Sequence, residues 1–188
     1  MVRGLNKGTS RSGKSLARVI GGWLFFILCI VGILLLIIGF VGQKTTVSGT
    51  SMYPTLLDGD VLIVDKITYR FTDPRRFDVI VFPYQFDEEI YYIKRIIGLP
   101  GETVQISNGR IYINGELLEE PYEFDEIRQA GVASNPVTLE DDEYFVLGDN
   151  RNDSSDSRVP AVGNIKRSEI EGRALLRVWP LESFGLVG

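Results

Sequence analysis

The stretch Phe77-Asp78-Val79-Ile80-Val81-Phe82 decides the fold class of this chain. It is short, rich in β-branched and aromatic residues, and followed by a proline. Runs of the same kind recur at 61–64 (Val-Leu-Ile-Val) and 144–147 (Tyr-Phe-Val-Leu). Such runs, bounded by Gly, Pro and Asp, are typical of β-strands. No long helical period competes with them beyond residue 42, so the sequence predicts a mainly β domain.

Two Asn-Gly pairs give the clearest hairpin signal in the sequence. Asn108-Gly109 separates the strand-like run 104–106 from 110–113, and Asn114-Gly115 follows the second run. Asn-Gly between alternating hydrophobic runs favours a two-residue hairpin turn. Further along, 119–142 is polar and aperiodic and is predicted to be a surface excursion. Residues 164–171 are the one helical candidate of this part, before a final strand at 174–179.

A second signal lies at the N-terminus, where residues 19–42 contain no charged side chain. A helix needs roughly 20 apolar residues to cross a bilayer, whereas the apolar core of a cleavable signal peptide has only about 7–15. Gly42-Gln43-Lys44 offers no small-x-small cleavage site. Residues 19–42 are therefore predicted to be an uncleaved transmembrane helix.

The charges on either side of this segment predict its orientation. Residues 1–18 carry five basic residues and read as a short disordered tail, and the first acidic residue of the chain is Asp58. Positive charge before a span favours a cytoplasmic N-terminus. We therefore expect a cytoplasmic basic tail at 1–18 and an extracytoplasmic domain at 43–188.

Composition also excludes several kinds of chemistry. Beyond residue 42, 15 Lys/Arg face 25 Asp/Glu, a net −10, so nucleic acid is not an expected partner. Histidine is absent, which removes Ser-His-Asp catalysis and the commonest zinc ligand. The single cysteine, Cys29, lies inside the predicted span and supports no disulfide. A hydrolase built from this chain needs another base.

Residues 48–56 (Ser-Gly-Thr-Ser-Met-Tyr-Pro-Thr-Leu) have two features that suit a nucleophile turn around Ser51. Gly49 permits close approach of backbone and substrate, and Pro54 stiffens the chain after Ser51. The plain alternative is a loop that leaves a membrane helix.

Residues 91–97 (Tyr-Tyr-Ile-Lys-Arg-Ile-Ile) have the composition of a strand. Alternation puts Lys94 on the same face as Tyr92 and Ile96. If that face is buried, desolvation disfavours the ammonium and makes the lysine a usable base near neutral pH. The alternative is an edge strand whose Lys94 and Arg95 are solvated.

A third segment, 148–158 (Gly-Asp-Asn-Arg-Asn-Asp-Ser-Ser-Asp-Ser-Arg), is dense in short hydrogen-bonding side chains. Such a loop rigidifies a site through Asx-type turns and an Arg–carboxylate pair. A solvated turn and a calcium loop are the alternatives. The calcium interpretation is weak because Arg151 stands where an EF-hand needs an oxygen ligand.

Together and in their order along the chain, these segments resemble the type I signal peptidases. Residues 51–56 are similar to the family's nucleophile segment, and 58–66 to the strand after it. Residues 92–102 are similar to the segment with the lysine base, and 148–158 to the last motif. The resemblance covers about 48–179. It implies a mostly antiparallel β-sheet catalytic domain with a small β-rich insertion, here about 102–142.

The resemblance also implies roles for individual residues. Ser51 would be the nucleophile and Lys94 the general base, with Ser154 as a hydrogen-bond partner of the lysine. The supporting residues would be Arg95, Asp149, Asp156 and Arg158. The resemblance also implies small pockets for Ala-like side chains at substrate positions −1 and −3, counted back from the cleavage site. The residues expected to contact substrate there are Val47, Gly49, Met52, Leu56, Tyr92 and Ile93. We expect no metal and no other cofactor.

The sequence departs from part of the family at Gly49. Some members have a serine at this position, two residues before the nucleophile, that donates to the oxyanion. Oxyanion stabilisation would then depend on backbone N–H groups, that of Ser51 first among them.

The expected function is removal of signal peptides from exported preproteins at the outer surface of a bilayer. A non-catalytic bitopic adaptor with an extracytoplasmic β-domain is the alternative, but it gives no reason for the three segments to occur together. A self-cleaving repressor would use similar Ser/Lys chemistry. It would also need a DNA-binding head, for which residues 1–42 have no room.

Overall fold

The structure is a computed structural model that describes residues 12–122 and 124–187. The chain divides into one unit that ends at Phe40 and a second unit from Val41 to Gly188. The first unit contains all but the last residue of helix α1, Ser12–Val41. Among the helices of the described part of the chain, none combines the length and apolar character that a membrane crossing requires. The predicted transmembrane helix therefore stays a prediction.

The start of α1 corrects the predicted disordered tail. Residues 1–11 of that tail lie outside the described residues, but 12–18 are helical. Leu16, Ala17 and Arg18 are good helix formers, and no proline interrupts the approach to the apolar stretch. The helix ends at Val41, and Gly42 begins the first strand.

An eight-stranded sheet forms the body of the second unit, as the three hydrophobic runs predict. Its strands are β1 (Gly42–Thr46), β2 (Val61–Asp65), β3 (Val79–Tyr84), β4 (Asp87–Gly98), β9 (Glu143–Leu147), β10 (Ile165–Lys166), β11 (Gly172–Trp179) and β12 (Gly185–Leu186). The order is β1-β2-β11-β3-β4-β9-β10, with β12 beside β11, and every pairing is antiparallel. The mainly β, antiparallel prediction is confirmed.

A smaller four-stranded sheet lies within the predicted insertion. Its strands are β5 (Thr103–Ser107), β6 (Arg110–Ile113), β7 (Glu116–Leu117) and β8 (Val137–Thr138), in the order β7-β6-β5-β8. Both Asn-Gly turns are formed. Asn108 and Gly109 have φ of 49° and 75°, and Asn114 and Gly115 have φ of 54° and 85°. Positive φ at both positions is the requirement that favours Asn-Gly in tight hairpins.

The structure corrects two sequence predictions, those for 119–142 and for 164–171. The segment 119–142 is not only a surface excursion, because Ile127, Ala133 and Leu139 are buried in the core of the smaller sheet. These residues are spaced irregularly, so no periodicity marks them in the sequence. The predicted helix at 164–171 is instead strand β10 followed by one 3₁₀ turn at Arg167–Glu169. The strand predicted as final, 174–179, is confirmed within β11 but is followed by β12.

The open strand edges of the large sheet include those of β1 and of part of β4. β1 ends the sheet, and β9 pairs with β4 only from Arg95 onward, so residues 91–94 of β4 pair with β3 alone among the described strands. Four antiparallel pairings connect β1 to β4, so the two strands run in the same direction. The turn with Ser51 follows β1, and Lys94 lies on β4.

Candidate active site

The turn that carries Ser51 is anchored by buried side chains on its C-terminal side. Met52 and Leu56 are buried in the core, and the N–H of Leu56 donates to the carbonyl of Met52 at 2.9 Å. On the other side, Gly49 has a φ of +92°, which favours glycine, and its N–H donates to Asp58 Oδ1 at 2.8 Å. The turn therefore presents Ser51 from a fixed backbone.

The loop 148–158 holds this turn from the opposite side. The N–H of Asn150 donates to the carbonyl of Ser51 at 3.0 Å, and Asn150 Nδ2 donates to the carbonyl of Thr50 at 3.2 Å. A Cβ atom at Gly148 would lie 2.5 Å from the carbonyl oxygen of Ser51. Glycine is thus required at 148 for the two segments to approach this closely.

Lys94 reaches Ser51 from the middle of β4. Its Nζ donates to Ser51 Oγ at 2.8 Å and to the carbonyl of Ile93 at 3.0 Å, and the residue is only 4% exposed. Burial lowers the pKa of Lys94 from 10.5 to about 8, although the nearby carboxylates of Asp156 and Asp149 favour the ammonium. The alternative of a solvated edge strand is wrong, since Arg95 is also fully buried.

Each carboxylate near Lys94 is paired with an arginine. Arg95 makes a bidentate pair with Asp149, at 2.8 Å and 2.7 Å, with no exposed surface on either side chain. Asp156 makes a second bidentate pair with Arg158, both contacts at 2.8 Å, and accepts from the N–H of Gly148 at 3.1 Å. The two ion pairs fix the loop against β4 and neutralise most of the charge around the lysine.

Ser154 does not make the contact that the resemblance implies. Its Oγ is buried and has no hydrogen-bond partner among the described residues, whereas Lys94 Nζ is directed to Ser51 and the carbonyl of Ile93. The predicted Lys94–Ser154 hydrogen bond is therefore absent from this structure.

A groove of about 660 Å³ opens beside Ser51 and Lys94, between β1 and the free part of β4. Four of the predicted substrate-contacting residues line it: Val47, Met52, Tyr92 and Ile93. Leu56 does not, because it lies in the core, and Gly49 also lies outside the lining.

Sequence reasoning missed the rest of the groove. The remaining lining residues are Thr45, Thr46, Ser48, Glu89, Ile90, Tyr91 and Ser155. Ile90 lies two positions before Tyr92, so the alternation that places Tyr92, Lys94 and Ile96 on one face could have been continued back to it. β1 (Gly-Gln-Lys-Thr-Thr) contains no apolar residue and gave no strand signal.

Comparisons with known proteins give matches over most of the chain. A probable signal peptidase I-2 from Synechocystis sp. is 41% identical over 79% of this chain and 68% of that protein. A signal peptidase I from Bacillus caldolyticus is 38% identical over 86% of this chain and 92% of that protein. A solved structure of a signal peptidase I from Enterococcus faecalis V583 is 36% identical over 54% of this chain and 97% of that chain, with a TM-score of 0.46.

The similarity to these signal peptidases shows that the chain is an enzyme of the serine peptidase class. The family model described as signal peptidase, peptidase S26, matches residues 20–179. The chain belongs to this family.

Proposed function

We propose that this protein is a membrane-anchored endopeptidase that removes signal peptides from exported preproteins, with Ser51 as nucleophile and Lys94 as general base. The contact that carries the proposal is the 2.8 Å between Lys94 Nζ and Ser51 Oγ, made by a lysine that is almost fully buried. A nucleophile within hydrogen-bond reach of its base is the arrangement that covalent catalysis requires. The function of a non-catalytic adaptor does not require a buried lysine in contact with a serine hydroxyl.

The proposed reaction begins with Lys94 as a neutral amine. The amine takes the proton of Ser51 while Oγ bonds to the scissile carbonyl carbon, whose oxygen becomes the oxyanion. The resulting ammonium then delivers the proton to the leaving amine as the peptide bond breaks. Water, deprotonated by the same lysine, attacks the acyl-enzyme and releases the signal peptide.

The state of two backbone N–H groups supports the proposal that the N–H of Ser51 binds the oxyanion. The N–H of Gly49 is engaged by Asp58, so it is not free to bind the oxyanion. The N–H of Ser51 has no acceptor within the described residues. A free N–H on the nucleophile itself is well placed to stabilise the developing negative charge, and we propose it as the first donor.

The groove supports an extended substrate. Its two walls are parallel strands with open edges, so a peptide can add between them through main-chain hydrogen bonds. Alternate side chains of such a peptide point to the same side, which explains why −1 and −3 would be selected together. Val47, Met52 and Ile93 belong to the buried core, so this apolar wall of the groove is fixed by packing and supports a choice of small side chains.

The first prediction tests this substrate choice. Replacing Ala at −1 of a preprotein by Phe is expected to lower cleavage by the purified full-length protein in detergent by more than about 10²-fold, because the buried walls cannot move without strain. The same replacement at −2, whose side chain points away, is the matched control and should be cut nearly as well as the parent. Equal cleavage of both variants, measured by the release of the mature product, would contradict the proposed function.

The anchor is proposed from sequence. Residues 19–42 are uncharged and apolar, and Ser51 lies nine positions after Gly42, at most about 30 Å away when the chain is extended. A nucleophile this close in sequence to a membrane segment can reach the cleavage site of a preprotein whose own apolar segment is still in the bilayer.

The second prediction tests this topology. The experiment uses intact cells whose wall and any outer membrane have been removed, so that added protease reaches the cytoplasmic membrane. A tag at the N-terminus should be protected from the protease, because the five basic residues of 1–18 favour the cytoplasmic side. A tag after Gly188 should be digested. Protection of the C-terminal tag, with the N-terminal tag cut, would reverse the proposed orientation.

The third prediction concerns pH. Because the pKa of Lys94 is lowered to about 8, the neutral base is lost as pH falls through that value. We expect kcat/KM for preprotein cleavage to rise with pH and to level off above an apparent pKa of about 8. A pH profile with its acid limb near 10, the value of an exposed lysine, would show that Lys94 is not a desolvated base.

A further inference from the structure

The ammonium position of Lys94 lies over an aromatic ring. Lys94 Nζ is 5.0 Å from the centroid of the Tyr92 ring, and the two residues project from the same face of β4. A cation within about 6 Å of a ring centroid is attracted by the negative face of the ring. The attraction is stronger where water is excluded, as it is around Lys94.

The Tyr92 ring is itself held in place by other aromatic residues. Tyr84 stacks on it with a centroid distance of 4.9 Å and an interplanar angle of 14°. Phe82, the neighbour of Tyr92 across the β3–β4 pairing, meets it edge-on at 6.1 Å. The face that Tyr92 presents to Lys94 is therefore set before substrate binds.

We propose that Tyr92 is a further catalytic residue, whose ring stabilises the ammonium that Lys94 becomes when it takes the proton of Ser51. The proposal rests on the proposed function and goes beyond the role of Tyr92 as a groove wall. The ring attracts the protonated amine much more strongly than the neutral amine, so its effect grows as the transition state forms. Stabilisation of this differential kind raises the rate of the chemical step.

Other charged groups also act on Lys94, and the test must separate them from the ring. Asp149 and Asp156, from the loop after β9, favour the ammonium, and burial opposes it. Both carboxylates are paired with arginines, Arg95 and Arg158. None of these groups changes when only the electron density of the Tyr92 ring is altered.

The experiment replaces Tyr92 by Phe and by mono-, di- and trifluorinated Phe in the full-length protein. Fluorine withdraws electron density from the ring face while changing the shape of the ring little. We expect the pKa of Lys94 to fall with each added fluorine, by up to about one unit over the series. The plateau of kcat/KM should fall in the same order, because a weaker base is a slower one.

The pKa is read by NMR titration of ¹³C-labelled lysine, with the Lys94 signal assigned from its loss in Lys94→Met. This measurement needs no substrate, so it tests the ring contact even if the protein cleaves no preprotein. The same fluorinated series at Tyr91, which lines the same groove, is the matched control and should leave the pKa of Lys94 unchanged. A pKa that does not depend on fluorination at position 92, or a series that changes KM alone, would overturn the proposal and leave Tyr92 as a wall of the groove.

Discussion

Replacing Lys94 by arginine is expected to reduce preprotein cleavage by about 10²–10⁴-fold, the range that general base catalysis contributes. Arginine keeps the positive charge but cannot be deprotonated in a protein, so it cannot take the proton of Ser51. Lys94→Met, which removes the amine and keeps a similar length, should be equally inactive. Ser51→Ala should lose cleavage as well, because no acyl-enzyme can form.

A matched control for the arginine variant is Lys66→Arg. Lys66 forms an ion pair with Glu171 at 2.7 Å, with about a third of each side chain exposed, and has no contact with Ser51. Its replacement should leave cleavage within about twofold, as expected for a surface ion pair that contributes little to the fold. If Lys94→Arg kept more than a tenth of the parent activity with its circular dichroism intact, Lys94 would be a charge partner and not a base.

The sequence identified most of the sheet because its strands are short, apolar and bounded by turn residues. The runs at 61–64, 77–82 and 144–147 all lie in or overlap strands, and both Asn-Gly turns occur where predicted. β1 could not be found in this way. Its stability comes from pairing with β2 along five residues, and its own side chains are polar. A strand specified by its partner has no signal of its own.

The sequence points to Ser51, Lys94 and four of the residues that line the groove, but not to the contacts that join the segments of the candidate site. Ser51 and Lys94 are 43 positions apart, and only the β-sheet topology brings them to 2.8 Å. Composition alone also could not say which arginine pairs with which acid. Arg158 pairs with Asp156, two residues away, whereas Arg95 on β4 pairs with Asp149, which lies 54 positions further along the chain in the loop after β9. The long-range pair is the one that links the loop to β4.

Breaking that pair is expected to have the largest effect on stability. In Asp149→Asn, the guanidinium of Arg95 stays buried without its counter-charge, and removal of one partner from a buried pair typically costs about 3–5 kcal/mol. Urea unfolding of the full-length protein, followed by circular dichroism, should show this loss. Arg95 also donates to the carbonyl of Phe77 at 2.8 Å, so the disturbance should reach the start of β3.

The same variant has a second expected effect, which separates it from a general loss of packing. Asp149 favours the ammonium of Lys94, so its neutralisation should lower the pKa of Lys94 further and shift the acid limb of kcat/KM to lower pH. The unpaired charge of Arg95 acts in the same direction. Glu171→Gln, which breaks the partly exposed Lys66–Glu171 pair, is the control and should cost at most about 1 kcal/mol without moving the limb. If both variants lost the same small amount of stability and the acid limb stayed in place, the Arg95–Asp149 pair would influence neither the stability of the fold nor the pKa of Lys94.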